Sequence, residues 1–346
     1  MKHRYPIALL IVLVSILTRQ YYLMVLVVPL GLLRTKTNFM REVQPNKLRV
    51  LSYNVFMRPG LWFIKHSVSD YKNQRLQRFL SDFVQRYDVM ALQELFSLFT
   101  LRQSHLLDES YQYSAVTGMA RYLFWNRHWR LQIPFLDAGV VTVSKYPITA
   151  TDSHTYTRGN QIDGWVPKQV IWTLVKLPND RFINIFNTHL QATHTHLPNT
   201  SSSDAIRNKQ VEELADFVHS KTQTYKFPSL LCGDFNLDSL MFPLDYARMM
   251  DIFKKRLEDP ERGYQVKDVL PGHPVTFGCP GETTLTHPSD VDSKMCLDYI
   301  FYVGPPDFCT IDAHVEPFKV DGEPFTQLSD HFGVVCTLDF SNPNKA

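Results

Sequence analysis

Along this 346-residue chain, apolar runs repeatedly end or begin on a side chain that can bind a cation or move a proton. KLRVLSYNV (47–55) reaches Asn54, DVMALQEL (88–95) reaches Glu94 and RFINIFNTHL (181–190) reaches His189. LLCGDFNLD (230–238) closes on Asp234 and Asn236, Asp298 lies inside CLDYIFY (296–302), and Asp330 and His331 lead into HFGVVCTLDF (331–340). Alone, each has an ordinary reading. Asn54 is a turn former, Glu94 a surface carboxylate, His189 a hydrogen-bonded core imidazole, and Gly-Asp-Asn a common strand exit. Together they are residue types that suit hard-cation binding by carboxylate and amide oxygens, and acid–base chemistry. In a strand, side chains at i and i+2 share a face. Asp234 and Asn236 are therefore expected to project together, with Phe235 turned into the core.

The elements that must hold these groups are mostly strands. Further strand-like runs are AGVVTVSKYPI (138–148) and QVIWTLVKL (169–177). RLQRFLSDFVQRY (75–87) has helical spacing, with Leu76, Phe79, Leu80, Phe83 and Val84 on one side, and a second helix is expected over 205–221. No repeat of fixed period is found. Many strands with few helices predict an α+β fold of face-to-face sheets with helices outside.

A chain that is 44% hydrophobic, with 23 Phe and 16 Tyr, can fill one large core. Its net charge of +2 and lack of a basic cluster argue against a nucleic-acid partner. The five cysteines form no CxxC pair, which argues against a zinc finger or a thioredoxin-like site. Cys232 and Cys336 lie in apolar runs; Cys279, Cys296 and Cys309 lie in or beside loops, where one disulfide could form. At the N-terminus, IALLIVLVSIL (7–17) and YYLMVLVVPLGLL (21–33) flank Thr18, Arg19 and Gln20. Residues 1–46 are read as a hydrophobic anchor or signal segment with its linker, ahead of one catalytic domain over 47–346. That places the protein at a membrane, through a single-pass anchor or in a lumenal or secreted form after cleavage. A sequon at Asn199 fits a lumenal or extracellular face.

The phrases SYNV, LQE, NTHL, GDFN, LDYIF and SDH, spread over residues 52–331, resemble the endonuclease/exonuclease/phosphatase superfamily. NVFMRP, DAGVVTVSKYPI, LLCGDFNLD and LSDHFGVV are most similar to its neutral sphingomyelinases. The resemblance implies a four-layer sandwich, two mixed sheets flanked by helices. It also implies a metal-dependent phosphodiesterase that splits sphingomyelin, or a related phospholipid, into ceramide and phosphocholine. Mg²⁺ would be the cofactor, replaceable by Mn²⁺ or Co²⁺, with Glu94 and Asn54 as ligands. His331 would be the general base, neutral near physiological pH and oriented by Asp298. Asp234 would position the attacking water. Asn236 and Lys168 would bind phosphate, His189 would do so or assist the leaving group, and Asp330 would complete the shell. Sphingomyelinases commonly have Lys-Gly where this chain has Lys168-Gln169, which puts a backbone contact to phosphate in question. Phe124, Trp125 and Trp129, among arginines in 121–135, are candidates for bilayer or choline contact. The partners expected are a membrane phospholipid and the bilayer, with no obligate protein partner. The alternatives are a nuclease or inositol-phosphate phosphatase of the same superfamily, and a membrane-tethered binding module without catalysis.

Overall fold

The computed structural model describes residues 46–57, 71–96, 113–116, 139–159, 168–193, 200–278, 285 and 292–341. In chain order the elements are β1 (Lys47–Met57), α1 (Lys72–Asp82), β2 (Val89–Leu95), β3 (Tyr113–Val116), β4 (Val141–Ser144), β5 (Ile148–Thr155), β6 (Gln169–Lys176) and β7 (Phe182–His189). There follow α2 (Thr200–Thr224), β8 (Ser229–Asp234), α3 (Pro243–Leu257), β9 (Gln265–Asp268), β10 (Asp298–Gly304), β11 (Thr310–Glu316) and β12 (Gly333–Asp339).

They build two six-stranded sheets, ordered β11-β12-β1-β2-β4-β3 and β5-β6-β7-β8-β10-β9. Both are mixed in the same way. A central parallel pair, β1/β2 or β7/β8, is joined through a helix, and every other neighbour is antiparallel. The expected face-to-face sheets are therefore found.

Strand alternation sorts the core into layers. Leu48 and Val50 of β1, Ile183 and Ile185 of β7, Leu230 and Cys232 of β8, and Ile300 and Tyr302 of β10 meet between the sheets. Leu51, Tyr53 and Val55 face the other way, against Leu76, Phe79 and Leu80 of α1 and against Phe318. Phe186, Leu231 and Phe301 pack under α2 and α3.

Two expected elements are corrected. The run 138–148 is not one strand. β4 stops at Ser144 and β5 starts at Ile148 in the other sheet. Pro147 has no N–H for a ladder, and Lys145 is drawn to Asp88, its N–H donating to the Asp88 carbonyl at 2.8 Å and its Nζ 3.3 Å from Oδ1. The helix expected over 75–87 ends at Asp82. Phe83 leaves helical geometry (φ −121°) and Val84–Arg86 form a 3₁₀ turn. Mutual bonds of Asp88 and Arg49 then pull the chain into β2.

Cys232, Cys296, Cys309 and Cys336 are buried free thiols, so Cys296 and Cys309 are not paired with each other. Among the described residues no helix is long and apolar enough to cross a membrane. The N-terminal apolar runs, Phe124, Trp125, Trp129, Asn199 and Cys279 lie outside the described residues.

Candidate active site

The layer between the sheets turns polar toward one end. There β1, β2, β7 and β8 finish while β10 and β12 begin. On β7 the series Ile183, Ile185, Asn187, His189 keeps one face, and on β8 Leu230 and Cys232 lead to Asp234. Ile300 leads back to Asp298 on β10, and Leu48, Val50 and Ser52 lead to Asn54 on β1. The hydrophobic effect that drives these strands together thus also carries their polar ends into a buried cluster.

Hydrogen bonds fix the cluster. His331 Nδ1 lies 2.8 Å from Asp298 Oδ2. The Asn54 amide donates to Asp234 Oδ2 at 3.0 Å and its Nδ2 lies 3.5 Å from His331 Nε2. His189 Nε2 lies 3.4 Å from the same Asp234 oxygen. Ser329 Oγ donates to the Asn54 carbonyl at 2.7 Å and accepts the His331 N–H at 3.2 Å. Asn54, Glu94, Lys168, His189, Asp234, Asp298, Asp330 and His331 are all buried, and Asn236 is half-buried.

Two strand ends share a local device. The Phe56 N–H donates to Asn54 Oδ1 at 3.0 Å, and the Asn236 N–H donates to Asp234 Oδ1 at 2.9 Å. In each Asx turn the third residue is left-handed, with φ 52° at Phe56 and 51° at Asn236. This corrects the placement of Asn236. It lies beyond the end of β8 rather than on the strand face of Asp234, and its Nδ2 donates to the Leu190 carbonyl at 3.1 Å. Phe235 does point inward, with ring centroids 5.3 Å from Phe301 and 6.3 Å from Phe253. Gly233 is required there because a Cβ would collide with the Thr188 carbonyl on β7.

Glu94 breaks alternation. Its neighbours Leu92 and Leu95 both face the α1 side, and its own φ of 54° bends the strand end. Its carboxylate is near enough to His189 to act on its titration.

The two histidines are driven apart. Burial, the largest influence, and then Lys168 lower His189 to about 3 against the pull of Asp234 and Glu94. Burial also works against the charged form of His331, yet Asp298, Asp234 and Asp330 together raise it to about 10. The three surrounding carboxylates thus favour the charged ring, where the sequence reading expects the neutral one.

The donor set fits a hard cation. Four carboxylates, those of Glu94, Asp234, Asp298 and Asp330, are buried in one region, and Asp298 Oδ1 has no hydrogen-bond partner. Such a concentration of buried negative charge calls for a compensating cation. Asp234, Asp298 and His331 bring ligand atoms within 4.8 Å of one another. Asp298 and His331 are already hydrogen-bonded to each other, so that trio reads as a proton-handling group. Asn54 Oδ1 likewise accepts the Phe56 N–H, while Glu94 brings a further buried carboxylate to the same region.

Several contributors escape a sequence reading. Arg75 on α1 is fully buried and donates to the carbonyls of Val55, Phe56 and Leu328 at 3.2, 2.8 and 2.6 Å. It ties the end of β1 to the loop carrying Asp330 and His331. Its one signal is position, since it stands four residues before Phe79 on the apolar stripe. Behind the site, Gln93 Nε2 donates to Asn187 Oδ1 at 2.7 Å, and Asn187 Nδ2 donates to the Val141 carbonyl at 2.9 Å. This amide pair bridges the two sheets.

The profile of the Endonuclease/Exonuclease/phosphatase family matches residues 51–331. A sphingomyelinase of Dictyostelium discoideum is 27% identical over 339 residues, covering 74% of this chain and 72% of its own length. The crystal structure of SmcL superposes with a TM-score of 0.64 at 21% identity, over 85% of this chain and all of that one. Beta toxin of Staphylococcus aureus, crystallised with bound magnesium ions, gives a TM-score of 0.62 at 18% identity, over 84% of this chain and 99% of its own.

Proposed function

The chain belongs to the endonuclease/exonuclease/phosphatase family, and within it we propose a phosphodiesterase that hydrolyses sphingomyelin, or a closely related phospholipid, to ceramide and phosphocholine. One observation carries the reaction type. The His331–Asp298 pair, at 2.8 Å, stands beside Asp234 and Asn54 in a buried polar cluster. The lipid substrate rests on the similarity to the Dictyostelium sphingomyelinase.

In this reading Asp298 orients His331, and its Nε2, free in the neutral ring that a cation bound among the surrounding carboxylates would favour, takes a proton from the attacking water. Asp234 positions that water, and the incoming oxygen forms its bond to phosphorus as the bond to the ceramide oxygen breaks. The departing oxygen is reprotonated from solvent. His189, lowered to about 3, is neutral and serves as a hydrogen-bond partner to the phosphate rather than as an acid. Lys168 and the second N–H of the Asn236 amide meet phosphate oxygens whose charge grows in the transition state. Asp330 braces the His331 loop. Mg²⁺, or Mn²⁺ or Co²⁺ in its place, held by Glu94 and Asn54 would screen the phosphate charge and loosen the proton on His331.

The same reading assigns residues 47–346 to catalysis and 1–46 to membrane attachment, as a single-pass anchor or a cleaved signal. Phe124, Trp125 and Trp129 are assigned to bilayer or choline contact. The test is a substrate panel on the full chain: sphingomyelin, lysophospholipid, inositol phosphates and plasmid DNA, each with Mg²⁺ and with EDTA. Sphingomyelin turnover that needs Mg²⁺ and is lost in Glu94→Gln, with the fold intact, is the expected result. Turnover of inositol phosphates or DNA in its place overturns the lipid reading, and undiminished activity of Glu94→Gln at low Mg²⁺ overturns the cation assignment.

A further inference from the structure

Among the described residues, the large apolar side chains left in solvent fall in one short stretch. Leu240, Met241, Phe242 and Leu244 are 46, 69, 57 and 82% exposed. Folding gives no reason for this. The inward face of α3 is supplied by Met249, Met250, Phe253 and Leu257, which are buried beneath it. A contiguous exposed apolar patch of this kind marks a contact surface.

The stretch is also held in place. Asp238 Oδ1 accepts the N–H groups of Leu240 at 3.0 Å and Cys296 at 3.1 Å, and its carbonyl accepts the Phe242 N–H at 2.8 Å. The Ser239 N–H donates to the Tyr299 hydroxyl at 3.2 Å. Its root is thus fastened between the exit of β8, four residues after Asp234, and the entry to β10, two residues before Asp298. Pro243 occupies the first turn of α3 and stiffens the far side. The apolar tip therefore stands at the rim of the candidate active site. Arg207 on α2 senses both Asp245, next to the tip, and Asp234 within the site.

The charges around it select the partner. Asp245 and Arg248 lie 3.8 Å apart and offset each other, Arg207 is paired with Asp204, and Asp238 is committed to backbone. An apolar tip with no unoffset cation beside it among the described residues suits a zwitterionic surface rather than an anionic one. We propose that residues 240–244 form a prong that enters a phosphocholine-rich bilayer and sets the active-site mouth against it. The proposal rests on the lipid reading above and adds how that site reaches its substrate.

The experiment attaches an environment-sensitive fluorophore to Leu244→Cys in the full chain. The unsubstituted chain serves as labelling background, and Lys255→Cys, exposed near the other end of α3, as control. Vesicles of phosphatidylcholine and sphingomyelin are added in EDTA, so that binding is read without turnover. The expected result is a blue shift at position 244, unchanged by salt, and none at 255. In parallel, Met241→Ser/Leu244→Ser is expected to hydrolyse vesicle sphingomyelin ~10–100-fold more slowly, since withdrawing an apolar side chain from lipid costs about tenfold in partitioning. Its activity on a monomeric short-chain substrate stays at the parent level. No shift at 244, an equal shift at 255, or equal loss on both substrates overturns the prong. So does a dimer seen by sedimentation that Met241→Ser/Leu244→Ser abolishes, because a second copy is then the occupant. A clear shift at 244 in a chain that hydrolyses no lipid keeps the prong and rejects the proposed function.

Discussion

The strands β11, β12, β1, β2, β4 and β3, with α1, follow one topological scheme. The strands β5, β6, β7, β8, β10 and β9, with α2, repeat it pair for pair. In this correspondence Asn54 matches His189, Glu94 matches Asp234, and the entry to β12 at His331 matches the entry to β6 at Lys168. The positions repeat while the residue types do not. Nearly every decisive bond crosses from one half to the other: Asn54 to Asp234, His331 to Asp298, Gln93 to Asn187. Within the site the tighter imidazole–carboxylate pair, His331 with Asp298, needs both halves, while the longer contact of His189 with Asp234, at 3.4 Å, lies within one. The outer faces differ as well. Among the described residues, one half is covered by a single helix with a buried arginine, the other by two helices and a conventional apolar layer.

The sharpest way to break this comparison is the cross-half dyad. His331→Gln is expected to lower kcat by ~10²–10⁴ with little change in melting temperature. Asp298→Asn costs less, and the double variant should be no slower than His331→Gln alone, because the two act as one unit. Multiplying losses, measured as kcat on the same substrate, would separate the partners.

Next in size are the outer cores. Phe235→Ala in one half and Phe318→Ala in the other, both fully buried, should each cost ~3–5 kcal/mol in denaturant unfolding. Phe235→Ala should leave the kcat of the folded fraction unchanged. A much smaller loss at Phe318 would mean that the two halves differ in cohesion as well as in cover.

Arg75 tests the asymmetry directly. Arg75→Met strands three buried carbonyls and should destabilise by about 2–3 kcal/mol. It should also slow turnover, because Phe56 and Leu328 flank Asn54 and the His331 loop. Arg75→Lys should restore part of the stability. Full activity in Arg75→Met would confine the residue to folding. The smallest effect belongs to the amide bridge. A double-mutant cycle of Gln93→Leu and Asn187→Leu should give a coupling of ~1 kcal/mol, and a value near zero would show that the sheets cohere without it.

The central strands are legible in the sequence because each carries an apolar run. Asn54, His189, Asp234 and Asp298 are legible because each extends the alternation of such a run. The strands that escape, β3, β5, β9 and β11, are the four sheet edges. Where burial is described for them, in β5, β9 and β11, it is partial, so no apolar run announces them. Glu94 and Asn236 are visible as residue types, but their left-handed backbone is not, and that backbone decides where they point. Arg75 is hidden because hydropathy counts a guanidinium as surface, although three carbonyls make the interior acceptable to it. The topological repeat is invisible because sheet order conserves positions rather than letters.

Cys232 from one half and Cys336 from the other sit in the layer between the sheets, fully buried, and burial pushes both thiols well above their ordinary range. A thiol reagent reacts with thiolate, so both are silent while the sheets stay together. Alkylation at these two positions, followed by peptide mass spectrometry, therefore times the parting of the halves. Because the His331–Asp298 and Asn54–Asp234 pairs span the same seam, the alkylation rate is also a clock for how often the candidate site comes undone.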